Sequence, residues 1–137
     1  MLNAGSSAVV IAVNCLFGKA FMTVFFRLRQ VSGAVFGGKK GGEEAKRMED
    51  TPFYKFASRA QLNEAEWSAP SLAILLFLHS QKVEATLAAN LMAFGSIWFL
   101  WTRLLGGPKA VTVSIIGAVC RYMGLIQMIH QLYLVVF

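Results

Sequence analysis

The stretch Arg59-Ala60-Gln61-Leu62-Asn63-Glu64-Ala65-Glu66-Trp67, continued by Ser68-Ala69-Pro70-Ser71-Leu72-Ala73-Ile74-Leu75-Leu76-Phe77-Leu78, decides how this chain is read. Five charged or amide side chains fall between positions 59 and 67, and an apolar run follows almost at once. At about 100° per residue, positions 59, 63 and 66 of a helix lie within about 60° of one another. A narrow stripe then carries a cation, an amide and a carboxylate, and its continuation is apolar enough to enter a bilayer. Charged groups at the mouth of a membrane helix are costly without a partner. The stripe therefore reads as a functional site or as an ion pair at the membrane surface.

Composition points the same way. Of 137 residues, 56% are hydrophobic and 15% charged, and the mean hydropathy is +0.56. A soluble domain of this size does not bury so many long apolar runs, whereas a small polytopic membrane protein displays them. The net charge of +6 does not indicate nucleic acid, because eight of the thirteen Lys and Arg residues lie between positions 27 and 59. That segment separates two apolar stretches, as the positive-inside rule produces. Cys15 and Cys120 both stand in apolar runs, form no CxxC pair, and read as small hydrophobes. Residues 1–26 lack a basic n-region and are too long for a leader's apolar core, so they read as a retained span.

Four helices are expected, at about 4–29, 53–79, 84–105 and 109–136, in one all-α integral membrane domain. The hydrophilic loop 30–52 between the first two is rich in glycine, lysine and glutamate. Short connections at His79–Lys82 and Gly106–Lys109 make the following helices antiparallel neighbours. Arg103 and Lys109 add to the basic side, and Lys82 stands opposite, so loop 30–52 is expected to be cytoplasmic. Arg27 and Arg29, the stripe Arg59, Asn63 and Glu66, and Lys109 then gather at one membrane surface. Arginines suit carboxylates, Glu66 an ammonium, and Asn63 an amide. Lys109, beside a helix amino terminus, suits an anion such as a thiolate. The alternative is that these groups are separate interfacial anchors. Arg121 falls inside the fourth span, and a partner on a neighbouring helix or subunit is expected. None of the seven acidic residues is expected deep in a span, which argues against an ion-coupled transporter.

Arg59-Ala60-Gln61-Leu62-Asn63-Glu64-Ala65-Glu66 is similar to the R-A-x-x-N-x-x-E signature of the MAPEG family, the membrane-associated proteins of eicosanoid and glutathione metabolism. Phe26-Arg27-Leu28-Arg29 and Pro108-Lys109-Ala110 resemble segments of its microsomal glutathione transferase and prostaglandin E synthase branch. The resemblance implies a trimeric four-helix bundle in the endoplasmic reticulum or another intracellular membrane, with glutathione between neighbouring subunits. It assigns Arg27, Arg59, Gln61, Asn63 and Glu66 to glutathione contacts and Lys109 to thiolate stabilisation. The implied activity is glutathione transfer to, or reduction of, lipophilic electrophiles that arrive from membrane lipid. The chain carries Lys109 where the family usually has arginine, and Trp98, Trp101 and Arg103 where it has a different helix 3 signature. A non-catalytic lipid-binding or scaffolding subunit is the alternative that these departures favour.

The charge asymmetry generates a topological prediction. With Cys15 and Cys120 replaced, a cysteine at Gly41 should react with an impermeant thiol reagent from the cytoplasmic side and not from the other.

Overall fold

A computed structural model describes residues 1–28, 31, 35, 43 and 46–137. Most of the loop expected at 30–52 lies outside the described residues, together with Arg29 and the Lys39–Gly42 segment. The described elements are helical. Helix α1 covers Ala4–Met22 and runs into a π-helical turn, Thr23–Arg27; α2 covers Pro52–Ser80 and α3 Thr86–Gly106. A 3-10 turn, Gly107–Ala110, leads into α4, Val111–Val136.

The starts of α1 and α2 follow from local chemistry. The Asn3 side chain accepts the backbone N–H of Ser6 at 2.8 Å, and Thr51 Oγ1 accepts that of Tyr54 at 3.2 Å. Each satisfies a donor that the first helical turn cannot pair internally. Pro52 then occupies a position where its missing N–H costs nothing. At the far end of α1 the wider π turn brings Phe26 inward, where it is buried against Tyr54 and Phe53 at ring distances of 5.1 and 5.9 Å. This packing accounts for the departure from a plain α-helix over 23–27.

Helix α3 is central. It packs against α1, α2 and, most extensively, α4, while α2 and α4 touch only lightly. The buried positions follow three- and four-residue steps: 57, 60, 64, 68, 71, 75 and 78 in α2, and 114, 117, 121, 124 and 128 in α4. Two apolar clusters result. One joins Ile11, Leu75, Leu78, Met92 and Met128; the other joins Phe26, Ala57, Leu100 and Leu104 at the opposite end. Between them the interior is polar, with Asn14, Glu64, Ser68, Ser96 and Arg121 all buried. The outer surface is the reverse. Leu16, Phe17, Phe94, Ile97, Ile115, Ile116, Ile126 and Ile129 are exposed, an apolar extent that requires non-aqueous cover. Among the described residues, two helices are long and apolar enough to cross a membrane: α1 with its π turn, at mean hydropathy 2.0, and α4, at 1.5.

The α3–α4 seam is closed by glycine. A Cβ on Gly117 would sit 2.6 Å from the Phe99 backbone nitrogen and 2.9 Å from the Gly95 carbonyl oxygen. The obstruction is backbone, so no rotamer change can relieve it. Gly117→Ala should therefore lower stability by about 1–3 kcal/mol, the range of an overpacked core. Thermal unfolding in detergent should detect this, with exposed Ile116→Ala on the same helix changing the midpoint little.

Candidate functional site

The polar layer is built around Glu64 on α2, which is 0% exposed, and Arg121 on α4, 2% exposed. They form an ion pair. Glu64 Oε1 accepts from Asn14 Nδ2 of α1 at 3.2 Å and from Ser68 Oγ at 3.3 Å. Asn14 Oδ1 accepts from Trp101 Nε1 of α3 at 2.8 Å. Arg121 Nη1 donates to Asn63 Oδ1 at 3.2 Å. All four helices thus contribute to one hydrogen-bonded set. The Arg121 guanidinium also lies 4.3 Å from the Phe99 ring centroid and 6.0 Å from that of Trp67. Beside it, Asn63, Trp67, Phe99, Ala118, Arg121 and Tyr122 line a small cavity of about 120 Å³ between α2 and α4.

Helix geometry sorts the residues expected to bind a ligand into separate places. Arg59 and Glu66 are exposed on α2, flanking the half-buried Asn63. Gln61 is two residues from both Arg59 and Asn63, about 200° around the helix from each. It joins Lys19, Met22, Thr23, Arg27, Tyr54 and Ser58 around a second cavity of about 360 Å³, where α1 ends and α2 begins. Arg27 and Gln61 are thus brought together, as are Asn63 and Arg121. Gln61, which faces Arg27, and the Arg59–Asn63–Glu66 stripe occupy different faces of α2. Lys109 is exposed on the four-residue 3-10 turn that precedes α4, and it does not line the Arg27–Gln61 cavity.

Trp98 Nε1 donates to the Val113 carbonyl of α4 at 2.9 Å, whereas Trp101 turns to Asn14 of α1. One expectation needs correction. Glu64 is an acidic residue deep inside the bundle, contrary to the reading that placed none there. Its pairing with Arg121 leaves it without the free carboxylate that ion coupling uses. The sequence did hold a signal for Glu64. Ala57, Ala60, Ser68 and Ser71 continue its three-and-four spacing as small residues, the mark of a close-packed helix face.

No protein-family model, curated protein sequence or solved structure matches this chain.

The ion pair generates a stability prediction. Removing one partner strands a charge, so Glu64→Gln or Arg121→Met alone should destabilise the protein by about 3–5 kcal/mol. The double variant should recover part of that loss, with a coupling of at least about 2 kcal/mol. Unfolding of the four proteins in one detergent measures this directly.

Proposed function

We propose that the chain is a four-span membrane protein that assembles as a homotrimer and binds glutathione at the Arg59–Asn63–Glu66 stripe. On this reading it acts as a glutathione transferase or peroxidase on lipophilic electrophiles that reach it from the bilayer. The apolar outer faces of α2 and α3, with Leu62, Leu76, Phe77, Leu87, Phe94 and Ile97 exposed, support membrane burial of those helices beside α1 and α4. The order of charges along the stripe suits a zwitterionic peptide. Arg59 takes a carboxylate and Glu66 an ammonium, and the Arg121 bond to Asn63 Oδ1 turns that amide's N–H groups toward the ligand.

The observation that carries the assembly is the division of α2 into two polar faces. Arg27 and Gln61 share one cavity, and the stripe stands on another side of the helix. A single ligand that uses both sets would take one from each of two chains, and this supports the reading of a glutathione site between subunits. Lys109, supplied at the same end of the bundle, holds the bound thiol as thiolate.

A second reading, a non-catalytic lipid-binding or scaffolding subunit, is favoured by the exposure of Lys109, since a solvated lysine lowers a neighbouring thiol pKa only weakly. Glutathione-dependent turnover of a generic aryl halide by purified protein separates the two.

Binding tests both the site and the assembly. Calorimetry should show glutathione binding that falls about tenfold or more in Arg59→Ala and Glu66→Ala, the size of a lost charge-assisted hydrogen bond. Co-expressing Arg27→Ala chains with Glu66→Ala chains should regenerate some sites with both residues intact. Absence of glutathione binding by the unmodified protein would remove this function. Binding without any rescue in the mixed assembly would place the ligand within one chain.

A further inference from the structure

Among the described residues, Arg103 is a half-buried cation with no part in the Glu64–Arg121 network or the Arg59–Asn63–Glu66 stripe. Arg103 lies in the last turn of α3, half-buried where α2, α3 and α4 meet. Its guanidinium stands 4.8 Å from the Phe56 ring centroid of α2 and 4.7 Å from that of Phe99. Nε donates to Ser114 Oγ of α4 at 2.9 Å, and that hydroxyl in turn donates to the Val111 carbonyl at 2.7 Å. The plane of the guanidinium is therefore fixed by one hydrogen bond and two aromatic rings. Among the described residues no carboxylate pairs with it.

The charge tally of this seam is unbalanced. Arg121, on the other contact of the same Phe99 ring, is neutralised by Glu64. Arg103 has aromatic neighbours, which stabilise a cation without cancelling its charge. With Nε engaged, the free edge consists of Nη1 and Nη2, whose parallel N–H groups match the two oxygens of a carboxylate. On α4, Val111 and Ile115, three residues before and one after Ser114, are exposed apolar side chains.

The geometry points to Arg103 as a preorganised carboxylate receptor at the α2–α3–α4 seam. Ser114, Phe56 and Phe99 are its positioning residues. The carboxylate can belong to a lipid-borne acid, whose chain lies along the apolar flank, or to a water-soluble peptide. This assignment does not rest on the glutathione reading.

Equilibrium binding of labelled oleate and of labelled glutathione to the protein in lipid nanodiscs tests it. At least one probe should bind the unmodified protein and weaken about tenfold or more in Arg103→Gln. Arg103→Lys should fall between, because a point charge lacks the fork. Dependence of oleate alone identifies a lipid-borne acid, and dependence of glutathione alone a soluble one. If Arg103→Gln does not fold, Ser114→Ala keeps the charge but frees its plane, and should still weaken binding several-fold. Binding of both probes that is indifferent to Arg103 and Ser114, or no binding of either, overturns the assignment. Loss of glutathione binding in Glu66→Ala with Arg103-dependent oleate binding intact shows two independent sites.

Discussion

A carboxylate and a guanidinium taken out of water together constrain everything else in this bundle. Neither Glu64 nor Arg121 has access to solvent, and an unpaired charge in that position carries a penalty of several kcal/mol. The pair alone leaves lone pairs and N–H groups unsatisfied, and neighbouring side chains supply several of the missing partners, while the buried Arg121 Nε has none among the described residues. Asn14 and Ser68 complete one Glu64 oxygen, Trp101 completes Asn14, and Asn63 takes an Arg121 nitrogen. Rotating α4 by one residue, about 100°, would swing Arg121 out of the layer. The polar layer thus sets the rotation of the helices, a specificity that apolar surfaces alone supply poorly.

Polar and apolar residues share the interior. Serine, asparagine, glutamate and arginine are buried between two apolar clusters, while isoleucine, leucine and phenylalanine also line the outside. In an apolar solvent, burial of hydrocarbon gives helices little reason to associate. Close backbone packing and internal hydrogen bonds take over that role. Gly95, Gly117 and Gly124 supply the first along α3 and α4, and the Glu64 network supplies the second.

Helical segments and the polar stretch of α2 were legible because hydropathy and spacing are local properties. The partner of Arg121 was not, because Asn14, Glu64 and Arg121 are distant in sequence and each looks isolated there. Glu64 is hard to single out in the sequence because the 59–63–66 stripe beside it carries the conspicuous charges, whereas the packed face is the neighbouring row through 57, 60, 64, 68 and 71. The half-turn that separates Gln61 from Arg59 is a property of the helix and not of sequence proximity. The π turn at 23–27 and the 3-10 turn at 107–110 arise from packing of Phe26 and from the backbone at Gly107. Gly107 has φ +56° and lies so close to Phe53 that a Cβ would fall 2.7 Å from its ring. Neither turn leaves a periodic trace in the sequence.

The uneven seams of the bundle also define where it can breathe. Along α3 and α4 the backbones approach so closely that the two helices behave as one stiff hairpin, with no side-chain layer to compress or slide. Along α2 and α4 the contact is thin, and a small cavity already separates them beside Arg121. The α2–α4 seam is thus the thinnest joint of the bundle, bridged by the Glu64–Arg121 pair and the Asn63 hydrogen bond rather than by close backbone packing.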